Sequence, residues 1–285
     1  MLSGRQAAAF IFIRYSSAMK QSPQSLAIRS FRNITRFWFV VTYLGQLVFA
    51  YYIIMLYGRS AAQGNFEKWN TVNPHFYQSG DGMGNFVFGA HVAFAAVITI
   101  LGPLQLIPAI RKKVPRLHRI SGRVYIFAAF LMGTGGLYLT WVRGAVGGLF
   151  AQVVISINAL IILVSACFAI RYAMQRKINL HNQWAVHLLL AMSGVWFFRI
   201  FLMLWLVIHK KPVGFDPETF TGPFLTFLGI FVYIFPQAVA ALYFRAKFSG
   251  APAKKWSFSI FLFIITLAMA VGIFGAVAGM WLPRI

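Results

Sequence analysis

The sequence predicts an all-α, polytopic bundle of about seven transmembrane helices with its N-terminus inside, and three observations carry that prediction. Hydrophobic residues make up 60% of the 285 positions and charged residues only 11%, against roughly 25% charged in an ordinary soluble domain. Several apolar runs reach the ~20 residues that a helix needs to cross the hydrocarbon layer. The runs are continuous and rich in Leu, Ala, Phe and Ile, without the alternating pattern of an outer-membrane barrel strand. In lipid every backbone polar group needs an internal partner, and a helix supplies one for each.

Taken in order, residues 1–36 form a basic cytoplasmic segment with Arg5, Arg14, Lys20, Arg29, Arg32 and Arg36, several Ser and no acid. Met19 is an alternative start. The same composition suits a mitochondrial presequence with a processing site at Arg14-Tyr15-Ser16, whereas the apolar patch 7–13 is too short for a secretory signal. The bundle occupies 37–285, with spans at 37–57, 85–107, 120–142, 150–170, 184–208, 223–243 and 258–281. The longest connection, 58–84, ends in Ser79-Gly80-Asp81-Gly82 and reads as turns. Gly102-Pro103, Pro108 and Pro236 kink or end their helices. Gly133, Gly135 and Gly136, and Gly272, Gly275 and Gly279, read as close-packing faces. Cys167 is the one cysteine and falls inside a span, as a small packing residue, which excludes a disulfide framework and a thiolate metal site. No internal repeat is visible, and the chain reads as one domain.

Orientation follows from basic residues in short loops, which stay on the cytoplasmic side. With the N-terminus inside, 19 of the 26 Lys and Arg fall on the inner side, and all four acids (Glu67, Asp81, Asp216 and Glu218) fall on the outer side. The net charge of +22 points to anionic lipid headgroups rather than nucleic acid, because the cations sit beside spans and not along one groove. The densest patch, 110–122, holds Arg111, Lys112, Lys113, Arg116 and Arg119.

Ionisable residues at membrane depth are costly and mark a pathway, a ligand or a pairing. His118 opens the third span and His181 precedes the fifth, both near the inner boundary. His187 lies about 9 Å deeper by the helical rise. On the second span, His91 in the outer half and Gln105 fourteen residues on lie close to one face. Arg199 stands eighteen residues after His181, five whole turns, so the two share a face of the fifth span, with Arg199 toward the outer half. His91, Gln105, Asn158 and Arg199 then form a polar interior seam open toward Asp81, with Tyr125 extending its inner end.

Three readings compete for this seam. In one, His118 pairs with His181 or His187 as axial ligands of a b-type haem, with Arg123 near the propionates. His91 has no partner histidine at its own depth, so a second haem is not reproduced. In another, the seam binds a quinone, with His and Arg donating to its oxygens. In the third, the polar residues fix helix contacts and lipid headgroups without catalysis. Transport of a small solute or proton along the seam is a rival from another class. His75, His209, Glu67 and Asp81 are metal-ligand types but show no tight ligand spacing.

The segments Gly89-Ala90-His91, Gly102-Pro103-Leu104-Gln105, Leu117-His118-Arg119 and Gly122-Arg123-Val124-Tyr125, with His181, Trp184 and Arg199, resemble the bacterial predicted membrane proteins grouped as domain-of-unknown-function family 2306. The resemblance covers about 89–205. It implies a multi-helix protein of the bacterial inner membrane, with the mitochondrial inner membrane as the alternative, and places His91, His118, His181 and Arg199 on characteristic family positions. The chain departs at His187, which is more usually Arg there. The family carries no established substrate or reaction, so the expected function rests on the residues: a redox-linked protein with one haem or quinone near His118 and His181, and with His91 and Arg199 lining the outer half.

Overall fold

Long apolar runs without internal charge fold into helices that satisfy their own backbones, and the computed structural model is built from these. It describes residues 23–73, 75–145 and 147–285; no strand occurs among them, only an isolated bridge between Asp216 and Thr221. The presequence-like stretch with Arg5, Arg14 and Lys20, and the alternative start at Met19, lie outside the described residues.

The first helix, α1 (Pro23–Ile53), begins well ahead of the apolar run and carries Arg29, Arg32 and Arg36 on its early turns. No glycine or further proline interrupts the chain from there to Gly45, so the basic stretch joins the helix. The helix continues through a π turn (Ile54–Gly58) to Ala62. Then follow α2 (Gly82–Gln105), α3 (Pro115–Val142), α4 (Gly148–Met174), α5 (Ile178–Met192), α6 (Gly194–His209), α7 (Pro223–Phe248) and α8 (Pro252–Ala276). Prolines open α3, α7 and α8 at their first turns, where the missing N–H has no partner to lose. Among the described residues six helices are long and apolar enough to cross a membrane, or seven when the bent α5–α6 pair is counted as one span.

That fifth span corrects the expected straight run over 184–208: it bends by 55° between α5 and α6. Ser193 supplies the cause. Its hydroxyl donates to Leu189 O (2.8 Å) and its N–H reaches both Leu189 O and Leu190 O (3.0 and 3.2 Å). Gly194 follows, and a Cβ there would strike the Tyr233 ring. A Ser-Gly pair is a recognised origin of sharp kinks. The shared face of His181 and Arg199 therefore does not survive, because helical register is lost at the break.

The helices close into a ring. α1 packs on α2 and α8, α2 on α3, α3 on α4, α4 on α5, α7 on both α5 and α6, and α8 on α6. Alternating spans place Glu67, Asp81, Asp216 and Glu218 at one end of the bundle, and the basic stretches around 111–123, 171–177 and 245–255 at the other. Phe86, Phe127, Val142, Ile264 and Phe274 all point outward and are more than half exposed, an apolar rim suited to lipid contact.

Glycines set the tightest approaches. A Cβ on Gly272 would collide with the Ile200 carbonyl oxygen, one on Gly275 would lie 2.9 Å from Val207, and one on Gly133 would lie 3.0 Å from Leu163. The small-residue face of α8 is thus the α8–α6 contact, whereas on α3 Gly133 faces α4 and Gly135 and Gly136 face Val87 and His91 of α2. Gly272→Ala is expected to lower stability by about 1–3 kcal/mol, as overpacking does, measured as an earlier thermal unfolding transition in detergent. An unchanged transition would show that α6 and α8 are not this close.

Candidate functional site: an intramembrane cavity

The ring encloses a cavity of about 510 Å³ that opens among the loops of the acidic end. Its walls come from α1 (Gln46, Tyr52), α2 (His91), α3 (Tyr125), α4 (Asn158), α6 (Trp196, Arg199) and α7 (Tyr233), joined by apolar residues such as Phe49, Phe88, Val154 and Ile162.

Each polar side chain is held by its helix and one neighbour. His91 lies against the glycine face of α3, where a Cβ on Gly136 would be 3.4 Å from its Cε1. Two amides brace the α5–α6 break: Gln46 Nε2 donates to Ser193 Oγ (2.8 Å), and Asn158 Nδ2 donates to Ala191 O (3.2 Å). The Tyr125 ring fills the gap left by Gly102, whose other side meets Leu189. Arg199 Nη1 donates to Val195 O one turn back (3.3 Å), and its guanidinium lies 5.4 Å from the Phe49 ring centroid.

Six of these groups are buried and lack a hydrogen-bond partner: Gln46 Oε1, Tyr52 OH, His91 Nδ1, Tyr125 OH, Asn158 Oδ1 and Trp196 Nε1. All six residues line the one cavity. Arg199 likewise has no carboxylate; the single ion pair among the described residues is Arg143–Asp81.

Of the residues singled out from sequence, His91, Tyr125, Asn158 and Arg199 meet at the cavity, with Tyr125 as its floor. Gln105 does not join them. It sits toward the basic end, its Nε2 donating to Ser121 Oγ (2.7 Å). His118 is also at that end, within electrostatic reach of Arg111 and His181. His181 Nδ1 lies 2.9 Å from Ala169 O, and His187 Nδ1 lies 2.7 Å from Gln237 Oε1. Arg123 is exposed. Cys167 is exposed on α4 rather than packed. His75 lines the cavity mouth and His209 stacks on Trp205. No group of three His, Cys, Asp or Glu suited to a metal occurs among the described residues.

Gln46, Ser193, Trp196 and Tyr233 escaped the sequence reading. Gln46 and Ser193 carry a detectable signal, each a polar residue in the middle of an otherwise apolar run. Trp196 and Tyr233 carry none, since an aromatic in a span is ordinary.

At the mouth, Arg143 clamps the outer connection. Nε and Nη2 donate to Asp81 Oδ2 (3.1 and 2.6 Å), Nη1 to Phe76 O (2.7 Å) and Nη2 also to Asn85 Oδ1 (2.8 Å). Asp81 Oδ1 accepts from Gly84 N (2.8 Å), capping α2. The Arg143 hydrogen bonds, then the Gly84 N–H, hold the Asp81 carboxyl below its ordinary value of 3.8. Because the folded value is depressed, the clamp's contribution is full above 3.8 and is lost as pH falls through the folded value. Asp81→Asn at neutral pH, or strong acid on the wild type, should therefore raise amide hydrogen exchange across the 64–81 connection. Unchanged exchange in the variant would show that the clamp does not order the loop.

A polytopic helical membrane protein with a polar cavity inside its ring is the class that fold and site define. Residues 88–218 match the model of a family described as predicted membrane protein (DUF2306), so this stretch carries the pattern of the family that the motif residues resemble. The match holds His91, Tyr125, Asn158 and Arg199 but leaves Gln46 and Tyr233 outside. No curated protein and no solved structure matches the chain.

Proposed function

We propose that the protein binds a membrane-soluble amphiphile of the quinone class, with its oxygen-bearing head at the wall of His91, Asn158 and Arg199 and its apolar body among Phe49, Phe88 and Val154. The observation that carries this reading is the convergence of six unpartnered buried polar groups on one cavity. A polar group left without a partner away from water costs several kcal/mol, and an occupant of the cavity, with water beside it, offers partners to six such groups from five helices. The volume of about 510 Å³ lies inside the roughly 300–1,000 Å³ usual for small-molecule sites. A b-type haem on His118 and His181 draws less support, because neither histidine lines the cavity and His187 is engaged by Gln237.

The broken fifth span favours one further reading, transport of the same occupant. Half-helix ends near the middle of the membrane are a way in which transporters hold a substrate, and Ser193 lies on the cavity wall. We take the surrounding membrane as a bacterial inner membrane, with the basic end cytoplasmic and against anionic headgroups.

The test is titration of a short-tailed naphthoquinone into the detergent-purified protein, followed by tryptophan fluorescence. Saturable quenching is expected, weakened about tenfold or more in Asn158→Leu and His91→Leu and unchanged in Cys167→Ser. Folded wild type without saturable quenching would reject the reading. Transport is separated from binding by uptake of the same probe into proteoliposomes.

A further inference from the structure

The charge balance of the cavity reaches beyond a neutral quinone. Two arginines line it. Arg143 is neutralised by Asp81 at the mouth, whereas Arg199 has one hydrogen bond to its own helix and an aromatic face beneath it. The four acids of the sequence all lie in the outer connections or at a helix cap. Tyr57 and Tyr233 are phenols within electrostatic reach of Arg199, with His91 also on the cavity wall; none supplies a negative charge at neutral pH. A lone guanidinium at membrane depth is expensive, and among the described residues Arg199 forms no ion pair with a carboxylate.

α6 starts at Gly194, so its N-terminal end lies at the cavity wall beside Ser193 and Val195, where the C-terminal end of α5 opposes its dipole. Trp196, 2% exposed, lines the cavity with its Nε1 unpartnered, and an indole N–H can only donate. The remaining orphans limit the charge. Gln46 Oε1 and Asn158 Oδ1 are acceptors near the break and disfavour a second anionic group.

We infer that the occupant is a monoanionic amphiphile, its head an ionised enol, phenol or carboxylate held by the Arg199 guanidinium and the Trp196 indole N–H. The inference rests on the cavity being a ligand site, as proposed above.

The test uses two probes with the same alkyl tail: a 2-hydroxy-3-alkyl-1,4-naphthoquinone, ionised at neutral pH, and its neutral 2-methoxy ether. Affinities are read by tryptophan quenching in the full-length protein in lipid nanodiscs. The anion is expected to bind about tenfold tighter or more. Arg199→Gln should abolish that preference and Arg199→Lys should retain it, while Trp196→Phe should weaken the anion more than the ether. Equal affinities of the two probes for the wild type would overturn the inference while leaving the cavity reading standing. Binding of neither would overturn the cavity reading itself. If Arg199→Gln fails to fold, the wild-type comparison still decides.

Discussion

Hydrocarbon offers no hydrogen bonds, and that constraint organises this protein from its backbone to its cavity. The spans are helical because a helix satisfies itself. Where side chains bring extra polar groups into the membrane, the bundle pairs them wherever it can: Gln46 with Ser193, Asn158 with Ala191 O, Gln105 with Ser121, and His187 with Gln237. Of the nine buried side-chain polar atoms left without a partner among the described residues, those of Thr42, His118 and Trp281 lie away from the cavity and six belong to residues that line it. The six that line the cavity belong to five different helices.

The same constraint explains how the ends are secured. Lys255, buried at the start of α8, turns its ammonium onto the last carbonyls of α7 and the following loop, at Ala246 O (2.7 Å), Lys247 O (3.3 Å) and Ser249 O (2.7 Å). A lysine thereby meets carbonyls that a helix C-terminus leaves open. At the opposite end Arg143 ties Phe76 and Asp81 of the connection to Asn85 in the first turn of α2 and fixes the rim of the cavity. In the middle, the break at Ser193 opens a site for two amides from α1 and α4. The break in the fifth span and polarity in its neighbours thus occur at one place, and Arg199 follows a turn and a half later.

Composition and run length made the helical class and a count of six to seven spans legible, because hydropathy reports directly on the solvent. The acids at one end and the cations at the other followed from alternating spans. The glycine faces of α3 and α8 were also readable, since small residues repeated on a membrane helix have few uses besides close approach. The bend at Ser193 was not foreseen, although Ser193-Gly194 stands in plain view; a serine-glycine pair permits a kink without requiring one, and here Tyr233 of the next span, α7, occupies the space beside Gly194. His91, Asn158 and Arg199 were recognised as costly residues, yet Gln105 was grouped with them by periodicity along α2. Periodicity gives the face and not the depth, and Gln105 lies a full run of turns nearer the basic end. Gln46 stood out locally as a polar residue in an apolar run, but its partner, like the place of Tyr233, depends on which helices are neighbours, which no local pattern encodes.

The central claim is that a polar, accessible cavity lies within the bundle, and cysteine accessibility tests it most directly. In a Cys167→Ser background, Ala159→Cys places a thiol on the cavity wall, and Leu160→Cys, 57% exposed, places one on the outward face of the same helix at the same depth. A membrane-impermeant maleimide is predicted to label Ala159→Cys and to leave Leu160→Cys unreacted, because a thiolate does not form in hydrocarbon. Equal failure to react at both positions would contradict the account, as would labelling of the outward position alone.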